Sequence, residues 1–129
     1  MDREHLQTLH RMANWCSELA ILAHKRGDLR LSHDLYHLFY EFVWLRVIFI
    51  SRFQEPSSLA LATQEFSVEI WIYFFLCELM KREAKTLYRS SIKKIALTTR
   101  EFMENKGAVF IKEKGRVKPA SKAERAKLN

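Results

Sequence analysis

Residues 57–106 read SSLALATQEFSVEIWIYFFLCELMKREAKTLYRSSIKKIALTTREFMENK, a run without a single glycine or proline. Such a stretch lacks the residues that supply tight turns, so it favours helix over a series of short strands. As one helix it would span roughly 73 Å at 1.5 Å per residue. That is too long for a compact chain of 129 residues. The run must therefore divide, and Thr86 to Ser91, where β-branched and hydroxyl residues cluster, is the expected break.

Within this run, Ile70-Trp71-Ile72-Tyr73-Phe74-Phe75-Leu76 is rich in β-branched and aromatic residues. Propensity alone would allow a strand there, and also at Val43 to Ile50. Both runs are longer than ordinary strands and neither is closely flanked by turn chemistry, which favours helix.

Upstream, Leu6, Leu9, Ala13, Cys16, Ala20 and Ala23 recur at three- and four-residue steps. This is the stripe of an amphipathic helix, and its small members allow a neighbour to come close. Trp15 and Leu22 lie about half a turn away, either as a second contact face for a protein partner or as the rim of the same core. Gly27-Asp28 closes the first segment, with glycine at C′ and Asp28 as an N-cap candidate for the next. The second segment is apolar nearly all round except for Arg30, His33, Asp34, His37, Glu41, Arg52 and Glu55, so it reads as a central helix with one polar edge. Glu55-Pro56-Ser57-Ser58 ends it, with a serine capping the third. The expected helices are 3–26, 29–54, 58–85 and 87–105.

Leu, Ile, Val and Phe make up well over the ~20% found in disordered chains, so a core can form. Gly and Pro together number five, too few for a sandwich or barrel. Glycines at 27, 107 and 115 cannot build a G-x-x-x-x-G-K-[ST] or G-x-G-x-x-G phosphate loop. Cys16 and Cys77 form no C-x-x-C pair or disulfide framework. They read as reduced thiols of a cytoplasmic protein. Leu35 to Ile50 is interrupted by His37, Glu41 and Arg46, and Phe66 to Met80 by Glu69 and Glu78. Neither reaches the ~20 apolar residues of a membrane span. No secretory signal is expected at the N-terminus.

Charge is distributed unevenly. Residues 1–80 carry 7 Lys/Arg and 10 Asp/Glu, a net of −3, whereas residues 81–129 carry 15 and 5, a net of +10. Arg82, Lys85, Arg89, Lys93 and Arg100 are spaced so that, on one continuous helix, they would share a sector about 80° wide. Tyr88, Ile92, Ile95, Thr99 and Phe102 would occupy the opposite side. Such a ridge can neutralise phosphates and release counterions. Beyond it, Lys112, Lys114, Arg116 and Lys118 lie in a basic extension, readable as a small hairpin turning near Gly115 or as an extended arm anchored by Phe110. Ser121-Lys122-Ala123-Glu124 has capping-box spacing ahead of a short basic helix.

Catalytic patterns are weak. His33, His37 and Glu41 share a face with Asp34 adjacent, but no cysteine or E-x-x-H pair nearby supplies a fourth ligand, and such histidines more often edge a core helix. His33-Asp34 lacks the downstream aspartate of His-Asp phosphohydrolases, and Arg/His spacings such as Arg30/His37 are expected by chance in a basic chain. No G-x-S-x-G elbow is present. The sequence thus predicts an all-α fold, a compact bundle of about four helices over 1–105 with a basic C-terminal arm at 106–129. No cofactor, metal, catalytic residue or membrane is expected. The expected function is non-catalytic binding of an RNA or DNA backbone, as a small subunit of a ribonucleoprotein or DNA-processing assembly. The alternative is a protein-binding regulator or adaptor using Trp15 and Leu22, for example a viral factor acting on a host enzyme.

Overall fold

The computed structural model describes residues 2–54, 67–120 and 122–128. The elements are α1 (Asp2–Lys25), α2 (Leu29–Gln54), α3 (Ser67–Arg82), α4 (Arg89–Asn105), strands β1 (Phe110–Glu113) and β2 (Arg116–Pro119), and a short α5 (Lys122–Leu128). The fold is an all-α bundle with one small hairpin. The expected first, second and fourth helices match to within two residues. The expected third, 58–85, is seen as 67–82. Its first residues, with the Pro56 break and the serine cap, lie outside the described residues, as does Ser121.

The α1–α2 hairpin is the framework. At its turn the Gly27 N–H donates to the His24 carbonyl at 3.1 Å and the Asp28 N–H to Ala23 at 2.9 Å. Gly27 has φ +83°, which glycine reaches without steric cost. Asp28 stands just ahead of α2, and its carboxylate accepts the Tyr88 hydroxyl, pinning the turn to the start of α4. Ala13, Ala20 and Ala23 of the α1 stripe are buried. This close approach lets the buried Ser32 hydroxyl on α2 donate to the Ala20 carbonyl at 2.8 Å. Leu9, Met12, Cys16, Leu35, Leu38 and Phe42 fill the interface.

The long run breaks without glycine or proline. After Arg82 the chain turns through 83–88, where the Thr86 hydroxyl donates to the Glu83 carbonyl at 3.0 Å and accepts the Tyr88 N–H at 3.3 Å. A threonine side chain thus takes over backbone groups that a helix would otherwise pair. α4 then buries Ile92, Ile95, Ala96, Thr99, Phe102 and Met103. The Thr99 hydroxyl donates back to the Ile95 carbonyl at 2.8 Å, so the bundle can bury it.

α4 ends at Gly107, φ +99°, with the Ala108 N–H donating to Met103 at 3.0 Å. β1 and β2 pair antiparallel with Glu113 opposite Arg116. Lys114 (φ +52°) and Gly115 (φ +79°) form the turn, the two left-handed residues that a two-residue hairpin needs. A second apolar cluster of Tyr73, Met103 and Ala108 seats the hairpin on α3 and α4. Phe110 stands edge-on to Tyr73 at 5.3 Å.

Candidate nucleic-acid interface

The break at 83–88 changes the geometry of the cationic row. Arg82 ends α3, Lys85 lies in the turn, and only Arg89, Lys93 and Arg100 share α4. The single five-residue ridge expected from spacing is therefore two separate pieces, because Thr86 ends the helical register that the spacing assumed.

The row also divides by what each cation faces. Arg82 Nη2 lies 2.7 Å from Asp34 Oδ2 on α2, and its Nε lies 3.6 Å from Glu83. Arg100 Nε stands 3.2 Å from Glu104 Oε1, and its guanidinium lies 5.0 Å over the Phe110 ring. In the hairpin, Lys118 Nζ lies 2.5 Å from Glu113 and 3.6 Å from Glu124. The Glu113 hydrogen bond, with the nearby charges, raises the Lys118 pKa against a smaller lowering by burial. These three cations hold α3 to α2, the hairpin to α4, and α5 to the hairpin. Arg116 is placed in β2, and nothing of its side chain is described.

The remaining candidates point outward. Lys85, Arg89, Lys93, Lys112 and Lys114 are exposed, with no ion pair to another described residue. Arg89 and Lys93 stand on the side of α4 away from Ile92 and Ile95. Arg100, on their side of the helix, touches Phe110 at the root of β1, so the hairpin begins where that row ends. Lys112 and Lys114 lie on the hairpin, Lys114 at its turn, where it lines a groove against α3 with Glu78 and Lys81.

Trp15 and Leu22 come together. Along with Leu19 they meet Ser91, Lys94 and Ile95 across a shallow groove of about 330 Å³ between α1 and α4. Trp15 is half-buried against the core, with Lys94 Nζ 4.1 Å over its ring. Lys94 was not among the residues singled out by spacing, since it falls beside the row, and a cation–π contact carries no sequence signature.

The sequence also gave no sign of a groove of about 650 Å³ between α3 and the hairpin, lined by Tyr73, Phe74, Cys77, Lys81, Lys114 and Val117 among others. Tyr73 is pushed up to about 12, first by burial and then by Cys77 and its hydrogen bond. Burial likewise pushes the Cys16 thiol up to about 12, which leaves it protonated and inert.

The histidine face holds no cluster of ligands. His33 is exposed, and His37 pairs with Glu41 at 3.7 Å while its ring rests 5.5 Å from that of Trp71. Among the described residues no three His, Cys, Asp or Glu side chains could share a metal ion. No helix among them is long and apolar enough to cross a membrane. Compared with known protein families, curated proteins and solved structures, the chain matches none.

Proposed function

We propose that the protein binds the backbone of RNA or DNA without catalysing a reaction, as a small component of a ribonucleoprotein or DNA-processing assembly. Lys85, Arg89 and Lys93 at one end, and Lys112 and Lys114 at the hairpin, are the contacting groups. The observation that supports this reading is the sorting of the cations. Arg82, Arg100 and Lys118 are matched by carboxylates of the chain itself, while these five, in the turn before α4, on α4 and on the hairpin, are exposed and make no ion pair with a described residue. Unmatched surface cations are suited to phosphate contacts, which position a partner but carry no base information. No aromatic residue is interleaved among them, so base stacking is not part of the reading.

The test is fluorescence anisotropy of a labelled duplex and a labelled single strand at low salt. Binding should be similar across sequences and should weaken in an Arg89→Glu, Lys93→Glu variant.

A second reading is a protein-binding adaptor. The groove carrying Trp15 and Leu22 favours it, since an aromatic beside an aliphatic in a cleft is a common anchor site. It predicts that Leu22→Asp abolishes capture of a specific protein partner while nucleic-acid affinity is negligible.

A further inference from the structure

The outer face of α2 carries no formal charge from Leu29 to Trp44. Leu29, His33, Tyr36, His37, Tyr40, Val43 and Trp44 fall along one side at helical spacing, and none is Lys, Arg, Asp or Glu. They are not core residues. Tyr40 is 67% exposed, Leu29 60% and Trp44 55%, with Tyr36 and Val43 also open. On the flank, His37 lies against Trp71 of α3, itself 43% exposed and stacked on Phe75 at 5.3 Å. The outer faces of α1 and α4, by contrast, are studded with charge: Arg3, Glu4, Arg11 and Glu18 on one, Arg89, Lys93 and Glu101 on the other.

We propose that this face is where two copies of the chain pair, α2 against α2 about a two-fold axis near Tyr40. Three features select a second copy as the occupant. A two-fold axis sets each patch against itself, so formal charges close to the axis would meet their own kind. A face without formal charge avoids that cost. Second, the chain carries +7 overall, and its positive charge is concentrated in residues 81–129, at +10, none of which is among the residues of this face. Third, the area is sufficient. Large aromatic side chains cover 150–250 Å² each, so Leu29, Tyr36, Tyr40, Val43, Trp44 and Trp71 at their observed exposures leave roughly 700 Å² open, close to the ~800 Å² per partner of a standard interface.

An antiparallel pair centred on Tyr40 sets Tyr36 of one copy against Trp44 of the other, and the two Tyr40 side chains against each other. Tyrosine and tryptophan are the residue types that dominate interface energetics. The cationic residues of α4 and the hairpin play no part in this pairing, which does not depend on nucleic-acid binding.

Sedimentation velocity of the full chain over about 1–100 µM tests the proposal. The wild type should sediment as a dimer in the upper part of that range. Tyr40→Glu with Trp44→Glu should be monomeric with an unchanged circular dichroism spectrum, its self-association weakened by at least about 30-fold, the size of a hot-spot truncation. Leu97→Glu, at an exposed position on α4, should dimerise as the wild type does. Should the double variant fold poorly, Tyr40→Cys supplies a second reading, since the pairing brings the two thiols together and mild oxidation should give a covalent dimer. A wild type that is monomeric throughout overturns the proposal. If that monomer loses thermal stability in the double variant, the face belongs to residues 55–66 of the same chain. If instead it co-sediments with phosphatidylcholine vesicles and the variant does not, the face belongs to lipid.

Discussion

The Arg82 guanidinium at the end of α3 reaches the Asp34 carboxylate on α2 at 2.7 Å, across 48 residues of chain. Both side chains are largely shielded, so the pair ties two helices whose direct packing is otherwise slight. Arg82→Ala should cost about 1 kcal/mol in urea unfolding, the upper end for a partly exposed pair. Nucleic-acid affinity should change less than about twofold, well under one lost phosphate contact. An Arg82→Ala protein of normal stability that binds as weakly as the Arg89→Glu, Lys93→Glu variant would place Arg82 in the interface after all.

The α1–α2 contact depends on small residues. Ala20 is fully buried and its carbonyl accepts the Ser32 hydroxyl. Ala20→Leu should destabilise by about 1–3 kcal/mol through overpacking, because the helices must separate and that hydrogen bond must stretch. Ser32→Ala should cost less, about 1 kcal/mol. Thermal unfolding of the two variants checks the order, and equal stability of Ala20→Leu and wild type would refute the close approach.

The hairpin is held by Phe110 against Tyr73 and under Arg100. Phe110→Ala should lower stability by about 2 kcal/mol, less than a fully buried phenylalanine would lose, and should speed proteolysis after residue 107. Unchanged protease resistance of residues 108–128 would show that another contact seats the hairpin.

The bundle was legible in the sequence because its signals were local. The stripe from Leu6 to Ala23 and the Gly27 turn each depend on residues a few positions apart, and each appears where expected, whereas at Gly115 the sequence left a hairpin and an extended arm open and the structure has the hairpin. The break after Arg82 was anticipated only roughly, since one threonine hydroxyl makes it and threonine is equally at home inside a helix. The cationic site was harder to read. Spacing shows which face a residue occupies on an unbroken helix, but not that the helix stops. Nor does it show that Asp34, 48 positions earlier, waits for Arg82, or that Glu104 and Phe110 engage Arg100. Ion pairs between distant elements leave no periodic trace. The outer face of α2, free of formal charge, was concealed for a related reason. Its aromatic residues have the same pattern as core residues, and only the packing of the neighbouring helices decides which side is covered.

Alkaline pH should destabilise the fold. The Tyr73 phenol holds its proton up to about 12 in the folded protein, against an ordinary value of 10.0. Because the folded value is the higher one, the contribution is complete below pH 10 and is lost as pH rises through about 12. Cys16 acts in the same direction from an ordinary 9.0 to about 12. Stability measured against pH should therefore fall between about pH 9 and 12, less steeply in Tyr73→Phe. Tyrosinate absorbance should show a late-ionising phenol that is missing from that variant, while Tyr88, raised by its hydrogen bond to Asp28, ionises late in both proteins. A flat stability profile across this window would contradict both assignments.

The most direct test of the central claim is the salt dependence of nucleic-acid binding in the intact protein and in the Arg89→Glu, Lys93→Glu variant. On duplex DNA each neutralised phosphate contributes about 0.9 to the slope of log affinity against log salt. Five outward cations therefore set a ceiling of about 4.5 for the wild type. The account predicts a slope approaching that value, a shallower one by about 2 in the variant, and no dependence on base sequence. Binding undetectable at about 50 mM salt, or a slope identical in the two proteins, would contradict it.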